Sequence, residues 1–273
     1  MIAKIRSANP LGALGGLIWL AIVIVPLYWV VITSLRSQAG FFGSSQLALP
    51  HPLTFGNFHL VLSNQFGTYL LNSVIVTTMA ICGNLLFNTA AGYALTKQFP
   101  GKRWVVLLLL SCMLIPFQAT IIPAYLITSS LGVLNSHLGI ALPLLSTIIC
   151  IFIFKASFEA VPKSLIDAAR VDGLSEWRIV VRILLPLSKS AIATNVILTF
   201  IWSWNAFLWP LIVVRTPDMQ TLPLGLARFL SYQEDTTGAL YAFCIMVLAP
   251  GILLFLLAQK EFVQGLAAGA TKA

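Results

Sequence analysis

Six long apolar blocks dominate the chain and leave few folds open to it. They run over residues 11–32, 69–95, 104–127, 138–154, 187–214 and 239–257. Each is near or above the roughly 17–25 residues that a helix needs to cross a bilayer. Lys189, at the start of the fifth block, is their sole Asp, Glu, Lys or Arg, and its long stem lets the amine reach the headgroups. Charged residues make up 9% of the chain, and mean hydropathy is +0.94. Soluble domains carry about 25% charge, so an aqueous globule is excluded. A β-barrel would show alternating segments of about 10 residues, and none occurs. The expected fold is all-α: a polytopic membrane protein with six transmembrane helices, in one domain over residues 1–273.

Orientation follows from the basic residues. With six spans both termini lie on one side, together with Lys97, Lys102, Arg103, Lys155, Lys163, Arg170, Arg178, Arg182 and Lys189. Lys4, Arg6, Lys260 and Lys272 join them from the terminal segments, against Arg36, Arg215 and Arg228 on the opposite side. Positive charge marks the cytoplasmic face. Both termini and the 159–189 segment are therefore expected in the cytoplasm, and the net charge of +8 is accounted for without nucleic acid. The first apolar block outlasts a signal h-region of about 7–15 residues and lacks an A-x-A site, so it reads as a retained span.

No catalytic constellation stands out. Gly101-Lys102-Arg103 lacks the upstream glycine and following Ser/Thr of a phosphate loop, and neither H-E-x-x-H nor G-x-S-x-G occurs. The spans carry no acidic relay of the kind that drives proton-linked carriers. Cys82, Cys112, Cys150 and Cys244 all fall in apolar blocks without metal-type spacing, and read as small packing residues. His51, His59 and His137 read as loop residues with structural roles. Energy for uphill transport would have to enter from another polypeptide.

Between the fourth and fifth blocks the 159–189 segment carries charges of both signs. Pro162 suits a helix start, and Leu165, Ala168, Ala169 and Val171 offer an apolar face beside wet Lys163, Asp167 and Arg170. Gly173 fits a left-handed stop. Ser175 can cap a second helix with Glu176 at its positive end, and Pro186 marks a bend into the fifth span. A small-residue pair at Ala168-Ala169 lets a helix lie close in a partner's groove, with Asp167 free to meet a basic residue there. Composition alone reads equally well as a solvated loop of good helix formers.

Asp167, Ala168, Ala169, Gly173, Ile183, Leu185 and Pro186 match in spacing the E-A-A-x3-G-x9-I-x-L-P loop, and the chain resembles the permeases of ABC importers, the binding-protein-dependent transport inner-membrane components. Asp replaces Glu at 167, which keeps the charge and shortens its reach. The surrounding Arg170-Val171-Asp172-Gly173, the Trp204-Asn205-Ala206-Phe207 run and the 259–266 tail look like the carbohydrate-uptake, MalG-type branch.

The resemblance implies a non-catalytic subunit of the bacterial cytoplasmic membrane that moves a mono-, di- or oligosaccharide by alternating access. Asp167, Ala168, Ala169, Arg170, Asp172, Gly173, Ile183, Leu185 and Pro186 would couple it to two cytoplasmic ATPase subunits, which bind ATP and Mg. A second, related permease and an extracytoplasmic solute-binding protein would complete the assembly, the latter docking on the external 35–67 and 216–238 loops. A glycerol phosphodiester, amino acid, peptide or osmolyte is the alternative cargo. A secondary carrier or membrane enzyme is the alternative class.

Substrate-pathway candidates are the amides Asn84, Asn88 and Asn205, costly against lipid, and Trp202 and Trp204, whose faces suit a sugar ring. Trp209 reads equally as an interface anchor. Asn72, Gln118 and Asn195 read rather as links between helices. Pro116, Pro123, Pro143 and Pro250 predict kinks.

Overall fold

A computed structural model describes residues 10–37, 40, 47–232 and 237–270. Lys4, Arg6 and Lys272 lie outside these, as do parts of the two expected external loops, at 38–39, 41–46 and 233–236. The described residues are helical, without strands. Among the described residues, three helices are long and apolar enough to cross a membrane, and up to six spans are counted if each of three bent helix pairs is one.

The chain divides into two compact units. The first comprises Met1–Phe66 and Leu226–Ala249. It contains α1 (Pro10–Ser34), α2 (Gly56–Ser63) and the early part of a long last helix (Thr237–Ala270). Asn57 in α2 donates to the carbonyls of Ser34 and Arg36, at 2.7 and 2.9 Å, and so anchors the frayed end of α1. Trp29 meets Tyr241 edge-on at 5.0 Å. Along the middle of α1 the side chains of Leu17, Ile18 and Trp19 are exposed, as on a helix solvated by lipid or facing another subunit.

The second unit, Gly67–Gly225 with Pro250–Ala273, holds the breaks. Its axis is α3 (Phe66–Ala94), which matches the expected second span. α4 (Lys102–Met113) and α5 (Phe117–Ser130) bend by 104° where Pro116 has no N–H for the carbonyl of Cys112. α6 (His137–Ala141) runs through a short 3-10 turn, Leu142–Leu144, and bends by 54° into α7 (Ile148–Glu159). Here Pro143 likewise frees the carbonyl of Gly139, which instead accepts the indole N–H of Trp209 at 3.0 Å. Pro123 and Pro250 sit inside helices.

α8 (Lys163–Val171) is followed by a helical segment, α9, that starts at Glu176 and winds as a π-turn over Val180–Leu184 before Pro186. The chain then turns by 87° at Ser188 into α10 (Lys189–Trp204). The fifth span differs from the expected 187–214: α10 stops at Trp204, and α11 (Leu208–Val213) is separate. Pro210 explains the stop, because it cannot donate to Ala206 in a continuous helix. A further helix, α12 (Leu222–Tyr232), precedes the last one, α13 (Thr237–Ala270).

Candidate functional site

The loop of charged residues folds as two helices around a glycine turn, as its sequence predicts. Gly173 adopts φ +78°, and the N–H of Leu174 reaches the carbonyl of Ala169 at 3.0 Å while that of Gly173 reaches Arg170 at 3.0 Å. This pair of bonds is a Schellman cap, which satisfies carbonyls at the end of α8 and requires a left-handed residue. Ser175 stands at the start of α9 in extended conformation but makes no side-chain cap. Glu176 is turned elsewhere.

The apolar side of α8 is narrower than expected. Ala169 is buried in a cluster with Tyr93, Phe154, Phe158, Ile179, Val180 and Leu184, with Ile166, Leu174, Ile183 and Leu185 packed against it. Ile183 and Leu185 thus hold α9 down, and Pro186 is exposed where the chain turns. Leu165, Ala168 and Val171 face outward, with Val171 87% exposed, and Asp167, Asp172 and Trp177 share that exposure. Of the alanine pair, Ala169 fits the fold from beneath and Ala168 shows no side chain larger than a methyl to the outside.

Glu176 is the centre of a charged cluster that sequence reasoning missed. Its carboxylate accepts from Arg170 Nε at 2.9 Å, from Lys97 Nζ at 2.8 Å and from the Tyr93 hydroxyl. Lys97 also donates to the Tyr93 oxygen at 2.7 Å and lies 4.2 Å above that ring. Arg170 reaches Asp167 Oδ1 at 3.0 Å, so Asp167 already has a cationic neighbour within its own helix. These donors pull the Glu176 carboxyl down to about 2, Arg170 contributing most, then Lys97 and Tyr93. Arg170 is in turn held more firmly protonated, chiefly by Glu176. The sequence signal was weak: Tyr93 and Lys97 share a helical face four apart, but nothing local ties them to residue 176.

Asn84 and Asn88 are wholly buried, and the structure brings them together. Asn88 Nδ2 donates to Asn84 Oδ1 at 2.6 Å, and Thr147 Oγ1 donates to the same oxygen at 2.8 Å. Asn84 Nδ2 reaches the carbonyl of Leu144, and Ser146 Oγ donates to Asn88 Oδ1 at 2.6 Å. The two amides thereby pin the break between α6 and α7 to α3. Nearer the start of α3, Asn72 ties that helix to other segments: it donates to the carbonyls of Asp218 and Gln220 and accepts from His137 Nε2 at 2.8 Å. Asn195 is buried too.

The aromatic candidates separate. Trp204 is buried and stacked on Phe200 at 5.0 Å, while Trp202 is 39% exposed. Asn205 is exposed and donates to the carbonyl of Ile201 at 2.8 Å. A pocket of about 330 Å³ is lined by Phe117, Gln118, Pro143, Leu144, Trp202, Ala206, Phe207, Leu208 and Trp209. All three proline-linked breaks supply residues to it: Phe117 after Pro116, Pro143 itself, and Ala206 to Leu208 before Pro210. Irregular backbone at membrane depth is tolerated where it lines a cavity.

A family model described as "Binding-protein-dependent transport system inner membrane component" matches residues 88–267. The chain is similar to the arabinooligosaccharides transport system permease protein AraQ of Halalkalibacterium halodurans, at 34% identity over 92% of each chain. It is also similar to the sn-glycerol-3-phosphate transport system permease protein UgpE of Shigella flexneri, at 28% identity over 90% of this chain and 92% of that one. Among solved structures, a chain of a bacterial ABC transporter involved in the import of the acidic polysaccharide alginate shares the fold, with TM-score 0.83 and 24% identity over 96% of this chain and 100% of that one.

Proposed function

Since the chain belongs to the family of binding-protein-dependent transport inner-membrane components, we propose that it is the permease subunit of an ATP-driven sugar importer. It sits in the bacterial cytoplasmic membrane with both termini and the 159–189 loop in the cytoplasm. The single observation that carries this reading is the outward face of α8, where Leu165, Ala168 and Val171 stand exposed on a capped helix whose other side is fixed to the bundle. Three apolar groups at helical spacing, rimmed by Asp167 and Asp172, suit a groove in a soluble partner. Two ATPase subunits would take that face, bind ATP and Mg, and drive the spans between inward-open and outward-open states. A second permease and a solute-binding protein complete the assembly. This chain itself performs no chemistry.

Cargo follows from the pocket and from the relatives. Flat faces from Phe117, Trp202 and Phe207 suit the C–H surfaces of a sugar ring, and the Gln118 amide offers one hydrogen-bonding group. AraQ, named for arabinooligosaccharides, supports a carbohydrate. UgpE, named for glycerol-3-phosphate, favours a second reading with an anionic cargo. Against it, Lys189 is the only cation in the six apolar blocks.

The test is uptake in membrane vesicles carrying the full importer. Asp167→Arg and Gly173→Pro are expected to abolish ATP-dependent sugar uptake while both proteins remain inserted. Undiminished uptake by both variants removes the coupling role, and ATP hydrolysis by the isolated chain would contradict its non-catalytic nature.

A further inference from the structure

We propose that Glu176 is a positioning residue that ties the coupling helix α8 to the span α3, so that movement of one is transmitted to the other. The proposal rests on the permease reading above and deepens it by naming where force passes from loop to span. Apolar attachment of α8 is slight: Ala169 is its one buried side chain, helped by half-buried Ile166. Beside them a cavity of about 500 Å³ opens, lined by Tyr93 and Lys97 on one side and by Ile166, Asp167 and Arg170 on the other. Next to that cavity the Glu176 carboxylate joins the two sides. It holds Arg170 of α8 at 2.9 Å and Lys97, just past the end of α3, at 2.8 Å, with the Tyr93 hydroxyl as a further donor.

Magnitude separates this role from a stabilising one. The Glu176 side chain is 54% exposed and Lys97 36%. Ion pairs of that exposure contribute about 0–1 kcal/mol to folding, too little to decide whether the bundle forms. What three N–H and O–H donors converging on one carboxylate do supply is a fixed geometry. Loss of the tie should therefore leave the protein folded and assembled, yet let α8 yield without moving α3.

The experiment measures ATP hydrolysed per sugar transported, in proteoliposomes containing the complete importer. Glu176→Gln keeps shape and removes the charge; it is expected to raise that ratio at least threefold with an unchanged yield of assembled complex. Lys97→Met should raise it by a similar factor, and the double variant by no more than either single one. Glu176→Asp should restore much of the coupling. An unchanged ratio in Glu176→Gln overturns the proposal, and so does a lower yield of complex with the ratio intact, which is the outcome of a purely structural role. If the unaltered importer shows no ATP-driven uptake, the permease reading fails and takes this proposal with it; ATP-driven uptake with an unmoved ratio overturns the proposal alone.

Discussion

The α3 helix carries one polar cluster in its interior, at Asn84 and Asn88, and another at its end, at Tyr93 and Lys97, and the two fasten different breaks with different chemistry. The inner cluster holds the α6–α7 bend with neutral amides and hydroxyls, wholly buried. The outer one holds the α8–α9 turn with a carboxylate, an ammonium and a guanidinium, half in water. The cost of desolvating charge explains the division: neutral dipoles can be satisfied inside the bilayer, whereas ions are cheap only near the interface. The buried cluster should be strong and indifferent to salt. The exposed one should be weak, salt-sensitive and suited to a joint that moves.

Asn84→Leu should show the largest effect. It leaves Asn88 Nδ2, Thr147 Oγ1 and the carbonyl of Leu144 short of a partner in a dry site, at about 1–3 kcal/mol for each unsatisfied group. A large fall in the thermal midpoint of the purified protein, equal in low and high salt, is the expected result; a salt-dependent fall would break the contrast. Gly173→Val comes next. Open space surrounds the position, so the penalty is the left-handed backbone alone, about 1–2 kcal/mol. Gly173→Asn should recover most of it, read on the same melting curve.

Lys97→Met is expected to cost about 0.2–1 kcal/mol at low salt, and the loss should shrink in 1 M salt, where the Debye length is about 3 Å. The smallest effect is the pH response of the outer cluster. Because Arg170 and Lys97 lower the Glu176 carboxyl from its ordinary 4.5 to about 2, its contribution is fully present above pH 4.5 and is lost as pH falls through 2. The difference in midpoint between the protein and Glu176→Gln should stay constant from neutral pH down to 4.5 and close below it.

Much of the 159–189 segment was legible because its signals are local. Pro162 and Gly173 act through their own backbones and occupy the helix start and left-handed stop that their chemistry dictates, whereas Pro186 lies inside the helical run Glu176–Leu187, two residues before the turn at Ser188. Ser175 was misleading for the same reason: a serine before a glutamate reads as a cap, but Glu176 is drawn toward Lys97 and Arg170, and the hydroxyl makes no cap bond. The fifth span was overextended because 187–214 is apolar throughout, and hydropathy is blind to Pro210 ending a helix at Trp204. The aromatic candidates were named as a group, yet only contacts separate stacked Trp204 from pocket-lining Trp202.

Composition and periodicity by themselves determined that the chain is a bundle of membrane helices with one polar loop, because burying backbone polar groups away from water forces helices wherever apolar runs are this long. They also placed the breaks at Pro116 and Pro143, which lack the N–H that a helix uses, although Pro123 and Pro250 sit inside helices. Tertiary structure alone decided which freed groups meet: the Gly139 carbonyl with Trp209, Asn84 with Thr147, and Glu176 with Lys97 seventy-nine positions away. Such pairings depend on how distant helices cross, and hydrogen bonds act over about 3 Å while leaving no periodic trace along the chain.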